Sequence, residues 1–597
     1  MTGDSQKQRT EHMPVSYPPF EKKEVVRGVT AQRGDTLRCK GWKQETLLRM
    51  LENNMEVAEH PDELVIYGGI GKAARNWESY HAIVDSLKQL ENDQTLVVQS
   101  GMPVAVFRTH ELAPRVVMAT TNFVRPSWDR FYQLHDDNLT IFAQYTAAPW
   151  EYIGTQGVIQ GTFETLRSVA NVHLDGTWVG KILLCAGMGG MGGNQPRAMT
   201  MLGGVAVCAD VDERIIRNRI KAGYCDVLAD SIPHALELAR EAADAGRPLG
   251  ISVVANAVEL FEYCLEHDFR PDVVTEMTPA HDPVAYVPIG YTVHEAEDFR
   301  KRDRDAYFKA SREAMVRQLD AMNAFYDAGV ATFEYGNQIR REAELGGHPD
   351  AYRIPGFVSA YLRPLFLEGR GPFRWTCTSG DPADLARLDD LAVELFADDE
   401  LVTRWIGLAR QHVPIEALPA RVCYLGFGQR KKFGLAVNDL IKKGEVKGPV
   451  AFSRDNLDSG SIINPTFESE NMPDGSDVIS DWPYLNGLLN AASMCDLIAI
   501  QANYAMGDSV HTGVTMIADG SDEADFRLRA ALTVDSGIGV VRHAQAGYDR
   551  AREVAPHRRR AEQHDLRLVT LHEPGQHARE RVVAVTGEHR VAHHVAA

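Results

Sequence analysis

The sequence has no closely spaced cysteines, no long apolar run and no excess of basic residues. Its eight cysteines are scattered and form no CxxC pair, which argues against a disulfide framework or a structural zinc site and favours a cytoplasmic location. No segment approaches the roughly 18 apolar residues of a membrane span. The polar first 24 residues lack the apolar core of a signal peptide. A net charge of -19 excludes the basic face that a nucleic-acid partner requires.

What is present is enough apolar sequence for more than one folded domain. The chain has 597 residues, of which 44% are hydrophobic and 24% charged, so two or three domains are expected. The pattern of apolar and polar residues along the chain predicts an N-terminal arm over 1–35, a core segment over 36–150 and a strand–helix segment over 151–352. A second core segment then covers 353–552. A tail rich in His and Arg follows over 553–597, with a weak strand pattern at 566–571.

The strand–helix segment predicts a parallel, doubly wound sheet. Short apolar runs at 181–186 and 205–210 have the pattern of buried strands, and further runs begin at Ile251 and Val273. A glycine-rich stretch, GMGGMGG at 187–193, follows the first of these runs and precedes a helical pattern at 196–202. The order of strand, glycines and helix is typical of a dinucleotide-binding loop.

The individual glycines fit that interpretation. Gly187, Gly189 and Gly192 have the spacing that permits a tight turn, close approach to a pyrophosphate and tight helix packing. Asp210 and Asp212 end the next strand, where an acidic residue would bind a ribose, and an acid there favours NAD over NADP. The alternative interpretation is a glycine-rich turn without a ligand.

A series of further motifs runs along the chain from about residue 40 to 552. They lie at 67–77 (YGGIGKAARNW), 98–101, 106–110, 152–157, 280–283, 333–337, 371–375 (GPFRW), 418–423, 457–461, 474–483, 542–544 and 547–549. In this order they resemble the signatures of the urocanase (urocanate hydratase) family, and the sequence is identified as a member.

The resemblance implies an α/β fold in which a Rossmann-type NAD-binding domain is inserted into a mixed α/β core domain. It implies a homodimer that holds NAD+ tightly and adds water to a urocanate-type substrate, giving an imidazolone propionate. In this chemistry the nicotinamide acts as an electron sink and not as a hydride carrier. No metal is expected.

The resemblance also assigns substrate and catalytic residues. Arg374 matches the family arginine that clamps the substrate carboxylate, and a structural ion pair is the alternative. Asp455 matches the general acid–base carboxylate, with Asp458 as a competing candidate and a loop-ordering role as the alternative. Further substrate contacts are expected from Tyr67, Gly68, Gly69, Thr146, Asn456 and Phe467.

The same resemblance assigns the cofactor contacts. They are Gly187, Gly189, Gly190, Met191, Gly192, Gly193, Asp210, Asp212, Gln144, His281, Tyr335 and Cys423. The chemistry requires no covalent enzyme intermediate, so Cys423 is expected to line the cofactor pocket as a small polarisable group and not to act as a nucleophile.

Several positions depart from the family pattern. Asn456 replaces a histidine, Phe467 replaces an arginine, and Met277 replaces a polar amide, while residues 501–507 replace a longer glycine loop. A Phe and a Met could pack against a methyl or sulfur substituent on the substrate ring. We therefore favour a ring-modified urocanate, S-methyl-thiourocanate or thiourocanate, over urocanate itself. A conventional NAD-dependent dehydrogenase and an inactive cofactor-binding homologue are the alternatives from other classes.

Overall fold

The computed structural model describes residues 28–121, 128–503, 509–555, 567–571 and 581–585. The predicted arm up to residue 27, residues 504–507 of the altered loop and most of the predicted tail lie outside these ranges. Residues 28–35 are tied to the body of the protein: Arg33 forms an ion pair with Glu56, and the Gly34 amide donates to the Ser379 carbonyl.

Nineteen strands are present in the described residues. They are β1 Val65–Tyr67, β2 Gly71–Lys72, β3 Gln94–Gln99, β4 Met102–Arg108, β5 Val116–Thr121, β6 Ile182–Ala186, β7 Val205–Asp210, β8 Val227–Ala229, β9 Leu249–Val254, β10 Val273–Val274, β11 Ala331–Thr332, β12 Gly371–Cys377, β13 Ala420–Leu425, β14 Val450–Arg454, β15 Ile462–Ile463, β16 Leu497–Asn503, β17 Ser509–Ala518, β18 Arg567–Leu571 and β19 Arg581–Val585. The weak strand pattern predicted at 566–571 corresponds to β18, which pairs with β19 in antiparallel fashion.

The same residues form eighteen α-helices. They are α1 Trp42–Glu56, α2 Trp77–Gln89, α3 Trp128–Asp136, α4 Ile159–His173, α5 Asn194–Met201, α6 Glu213–Lys221, α7 Ile232–Asp244, α8 Ala257–Glu266, α9 Val293–Arg302, α10 Arg304–Asp327, α11 Ile339–Leu345, α12 Arg363–Phe366, α13 Pro382–Leu395, α14 Glu400–His412, α15 Gln429–Lys442, α16 Asp481–Ala492, α17 Asp522–Ala546 and α18 Asp549–Val554. Local signals begin several of them, and α8 and α9 each start with a capping box. No helix among these is long and apolar enough to cross a membrane.

The smaller of the two large sheets is entirely parallel. It has six strands in the order β11-β10-β6-β7-β9-β8, and helices connect successive strands. Its central strands β6, β7 and β9 are apolar and almost wholly buried, as a sheet covered on both faces requires. The order of the strands changes direction at β6: the next strand in sequence, β7, lies on one side of β6, and β10 lies on the other. A crevice for a ligand is expected at this point.

The larger sheet is mixed and is built from both ends of the chain. Nine strands take part, in the order β13-β12-β14-β17-β16-β5-β3-β4 with β15 paired to β17. Strands β3, β4 and β5 precede the parallel sheet in sequence, and β12 to β17 follow it, with β16 parallel to β5. The parallel domain is therefore inserted into the core domain, and the predicted fold class is confirmed. The exact domain limits stay predictions.

Candidate active site

A cavity of about 270 Å³ lies beside the carboxyl ends of β6, β7 and β10. The parallel domain contributes the glycine loop and residues after β10 to its wall, and the core domain contributes Gly68, Gln144 and Phe467. The cavity thus lies between the two domains at the position where the strand order changes direction. This is the position at which open parallel sheets bind their ligands.

The glycine loop has the geometry that its sequence predicts. Gly187 has φ +84°, and a Cβ there would lie 2.1 Å from the Met277 carbonyl oxygen. A Cβ at Gly192 would lie 2.2 Å from the Gly187 carbonyl oxygen, so both positions require glycine. Gly189 differs, because a Cβ there would meet nothing within 4 Å. The loop therefore exposes backbone at Gly189 to the cavity, just before the start of α5, as a phosphate-binding loop does.

Asp210 and Asp212 also lie in the cavity wall. The Met188 and Asp212 amides donate to the two carboxylate oxygens of Asp210 at 2.7 and 2.8 Å. Burial raises the pKa of Asp210 to about 6. Asp212 caps α6 by accepting from the Arg214 amide at 2.8 Å. Both carboxylates are thus fixed by backbone groups at the edge where the sequence predicts a ribose contact.

The other predicted cofactor residues divide into two groups. Gly190, Met191, Gln144 and His281 lie in the wall, whereas Gly193, Tyr335 and Cys423 do not. Cys423 is fully buried in β13 opposite Phe373 of β12, and burial raises the pKa of its thiol well above the ordinary value. A buried neutral thiol is unsuited to nucleophilic attack. The Tyr335 ring packs 4.8 Å from the Phe357 ring, behind Gly336 of the wall.

The core-domain side of the cavity is partly apolar. Phe467 is 3% exposed and lines the wall together with Met277, Gly68 and Gly69. A Cβ at Gly336 would lie 2.6 Å from the Phe467 ring, so the glycine makes room for this aromatic side chain. The cavity wall therefore includes an aromatic group from the core domain and a thioether group from the parallel domain.

Four other predicted residues form a buried polar cluster that is not part of the cavity wall. The Tyr67 and Thr146 hydroxyls lie 2.9 Å apart, and the Thr146 amide donates to the Tyr67 oxygen at 3.1 Å. Arg374 donates through Nη2 to the Gly157 carbonyl at 2.9 Å and to the Asp455 carboxylate. Because Tyr67 directly precedes Gly68 and Gly69, the cluster adjoins the cavity. Burial, aided by the Asp455 charge, raises the pKa of Tyr67.

Arg374 retains unused hydrogen-bonding capacity. The residue is 1% exposed, and its Nε and Nη1 atoms have no hydrogen-bond partner within the described ranges. Burial alone would lower the pKa of Arg374, but the adjacent Asp455 carboxylate outweighs it and the pKa is raised. Buried donors of a charged group are costly when they have no partner. The arrangement fits a guanidinium that receives a carboxylate ligand.

The structure places Asp455 and Asp458 in different surroundings. Asp458 accepts from Arg430 at 2.7 and 3.2 Å. Arg430 and Arg454 also both contact Asp535, at 3.1 and 2.9 Å. Asp458 therefore belongs to a closed network of buried charges, whereas Asp455 lies beside the arginine that has unused donors. Geometry favours Asp455 over Asp458 as the residue that transfers a proton.

Asn456 is fully buried and is likewise absent from the cavity wall. Its amide is best satisfied when Nδ2 donates to the Tyr145 carbonyl at 2.9 Å and Oδ1 accepts from Nδ1 of His511 at 2.7 Å. Burial lowers the pKa of His511 to about 3, so this imidazole is neutral. An imidazole is thus present next to the position where the family pattern has a histidine.

Three buried carboxyl groups near the cavity were missed by the sequence reasoning. Burial raises the pKa of Glu59 to about 7 and those of Glu151 and Glu468 well above their usual values. Glu468 accepts a hydrogen bond from the Tyr145 hydroxyl at 2.8 Å. Glu151 stands within an otherwise apolar run, APWEYI at 148–153. An isolated carboxylate in such a run is the signal that could have identified it.

The parallel sheet, the glycine loop and the cavity between the domains define an α/β protein with a parallel, doubly wound domain, which is consistent with dinucleotide binding. Three family models match successive parts of the chain: the urocanase N-terminal domain at 29–151, the urocanase Rossmann-like domain at 154–361 and the urocanase C-terminal domain at 364–557. The chain belongs to the urocanase family. Membership implies an activity of the urocanate hydratase type, which is that of a hydro-lyase.

Proposed function

We propose that this protein is an NAD+-dependent, non-redox hydratase of a ring-modified urocanate, either S-methyl-thiourocanate or thiourocanate. The observation that carries the proposal is the position of Phe467 and Met277. Both lie in the wall of the cavity that also contains the glycine loop and Gly68. An aromatic ring and a thioether are suited to a sulfur or methyl substituent, because both are apolar and polarisable.

The residues present fit NAD+. The exposed backbone at Gly189 and the start of α5 suit the phosphate bridge, and Asp210 and Asp212 suit a ribose. His281 lies in the same wall, with its Nε2 unpartnered within the described ranges. When bound, NAD+ supplies an electrophilic nicotinamide ring that withdraws electrons from the conjugated substrate.

The protein's own residues then bind the substrate, orient it and transfer a proton to or from it. Arg374 offers Nε and Nη1 to the substrate carboxylate while Nη2 keeps Asp455 in place. Asp455 is the group that gives or takes the proton at the substrate carbon. The Tyr67 hydroxyl, held neutral by burial and by the Asp455 charge and hydrogen-bonded to Thr146, orients the substrate next to Gly68. Burial of these groups excludes bulk water and strengthens their mutual interactions.

Ordinary urocanate hydratase is the second candidate, and one observation favours it. Asn456 does not reach the cavity wall, and the neutral imidazole of His511 lies beside it. The imidazole of His511 therefore still lies next to position 456, where the family pattern has a histidine. One of the departures from the family pattern then carries no information about the substrate ring.

The test is an ultraviolet assay that follows loss of the conjugated chromophore. Urocanate, thiourocanate, S-methyl-thiourocanate and N-methyl-urocanate are compared at equal enzyme concentration, and bound NAD+ is measured after denaturation. Turnover of the sulfur-substituted substrates without net reduction of NAD+ is expected. Faster turnover of urocanate itself would replace the first proposal by the second. Net NADH formation would indicate a dehydrogenase, and bound NAD+ without turnover would indicate an inactive homologue.

A further inference from the structure

Glu59 reaches the glycine loop from the other domain. It follows α1 of the core domain, and its amide donates to the Ile66 carbonyl at 2.9 Å. Its side chain lies in the cavity wall together with Gly189 and Gly190. A Cβ at Gly190 would lie 2.5 Å from Oε1 of Glu59. The carboxyl group therefore occupies the space that a side chain at position 190 would need.

This carboxyl has few favourable neighbours. Its Oε1 atom is buried and has no hydrogen-bond partner in the ranges that the structure describes. The Gly190 amide and the Arg219 guanidinium are the groups that stabilise its anion. Arg219 itself donates to the Met188 carbonyl at 3.0 Å, beneath the loop. Tyr152 lies on the same side, with its hydroxyl 3.8 Å from the Cβ position of Gly190.

Other ionisable groups face the same region. His60 lies in the wall next to Glu59 along the chain, and Asp210 and Asp212 line the wall on the parallel-domain side. Glu416 lies near Tyr152. Burial is the main cause of the raised pKa of Tyr152, and the charges of Glu59 and Glu416 raise this pKa further. The region therefore holds several carboxyl groups, Glu297 among them, together with Arg219 and the wall residue Arg300, before any ligand is considered.

A dinucleotide adds two phosphate charges to this region. Burial already raises the pKa of Glu59 to about 7, so the acid and its anion are both populated near neutral pH. A phosphate brought to the glycine loop would repel the anion but not the neutral acid. Binding must therefore draw the equilibrium towards the neutral form.

We propose that Glu59 is a residue of the cofactor site and that its carboxyl takes up a proton when the dinucleotide binds. This inference rests on the proposed function, since it presupposes that NAD+ occupies the cavity. As the neutral acid, Glu59 packs against Gly190 and closes the loop from the core-domain side. As the anion, it weakens the binding of NAD+.

The sign of the pH dependence follows from this linkage. Below pH 7 the free protein already carries the proton on Glu59, so affinity for NAD+ does not depend on that group. Above pH 7 a proton must be taken from solution, so the dissociation constant rises by up to about tenfold per pH unit. The rise ends at the higher pKa that Glu59 has in the complex.

The experiment is calorimetric titration of the full-length protein, stripped of nucleotide, with NAD+ between pH 6 and 9. Two buffers of different ionisation enthalpy give the number of protons taken up. Wild type is compared with Glu59→Gln, which keeps the shape but cannot ionise. Glu63→Gln removes an exposed carboxylate four residues further on and is the matched control.

Proton uptake above pH 7 in wild type and Glu63→Gln, with none in Glu59→Gln, is the expected result. NAD+ binding without proton uptake in wild type overturns the inference whatever the variant does. Uptake that persists in Glu59→Gln overturns it as well. A protein that binds no NAD+ at any pH overturns the proposed function and, with it, this inference.

Discussion

The glycine loop and the buried polar cluster are two halves of one candidate site, yet the chain builds them in opposite ways. The loop is a single stretch of seven residues, 187–193, whose shape is fixed by backbone contacts at Gly187 and Gly192. The cluster takes Arg374 from β12, Asp455 from the position directly after the neighbouring strand β14, and Tyr67 from a segment some three hundred residues earlier. One half is determined locally and the other by tertiary pairing.

The two halves also differ in what stabilises them. In the loop, the contacts that fix Gly187 and Gly192 are between backbone atoms, and the charged groups Glu59, Arg219 and Asp210 lie beside them. In the cluster, the charges of Arg374 and Asp455 are almost fully buried, so each depends on its partner. Removing one partner of a buried pair leaves an uncompensated charge, which costs much more than the pair itself contributes. Substitutions should therefore affect chemistry and stability in the cluster, and cofactor affinity in the loop.

The largest effect is expected from Asp455→Asn. The substitution removes the proposed proton donor, so kcat should fall about 10²- to 10⁴-fold, the range typical of general acid–base catalysis. Bound NAD+ should be unchanged, because Asp455 is not part of the cavity wall. The assay is chromophore loss at saturating substrate, with nucleotide content measured on the same sample. If NAD+ is lost along with activity, the polar cluster contributes to cofactor binding as well as to catalysis, which would contradict the proposed division between the cluster and the loop.

A second carboxylate three residues away provides the contrast. Asp458→Asn should lower the free energy of unfolding by about 3 kcal/mol, because Arg430 loses one of its two buried counter-charges. The kcat of the folded fraction should stay within a few-fold of wild type. Urea unfolding together with initial rates checks both expectations. A loss of kcat as large as that of Asp455→Asn, without loss of stability, would exchange the roles of the two aspartates.

The same local-versus-tertiary difference explains what the sequence could predict. The strand predicted at 205–210 is β7, and the predicted glycine loop follows β6, because apolar runs and glycine spacing are local signals. The insertion of one domain into another was implied by the family resemblance and is confirmed by the strand order. These features do not depend on which distant segments pair.

The candidate site was predicted less completely because its side chains meet through tertiary pairing. The substrate contact of Asn456 stays a prediction, and its side chain is hydrogen-bonded to His511, which lies in β17 of the mixed sheet. Tyr335 and Cys423 were expected at the cofactor and lie behind the wall. Glu59 and Glu151 were not predicted. The apolar run around Glu151 could have indicated its burial, whereas the sequence around Glu59 carries no such signal. The roles assigned to Tyr335 and Cys423 likewise stay predictions.

A smaller effect separates two glycines within the loop. Gly189→Ala adds a methyl group where nothing lies within 4 Å, so the free energy of unfolding should change by less than about 1 kcal/mol. The methyl group would enter the space that a phosphate approaches, and NAD+ affinity should fall about tenfold or more. Gly187→Ala should instead lose about 2–4 kcal/mol of stability, because its Cβ would collide with the Met277 carbonyl. Equal losses of affinity and stability in both variants would contradict a phosphate-binding role for Gly189.

The smallest expected effect concerns the substrate ring. Phe467→Leu removes an aromatic face from the cavity wall, so the ratio of kcat/KM for S-methyl-thiourocanate over urocanate should fall about tenfold, a typical value for one lost apolar contact. Phe357→Leu is the matched control, because its ring stacks 5.7 Å behind that of Phe467 and is not part of the wall. A change of ratio confined to Phe467→Leu means that the wall itself selects the ring. An equal change in both variants means that packing of the aromatic pair matters and that contact with the substituent does not. If the kcat/KM ratio is unchanged in both variants, the main support for a ring-modified substrate is lost. The part of the cavity wall around Phe467 would then have no demonstrated role in selecting the substrate ring, unlike the role proposed for the glycine loop in binding the cofactor.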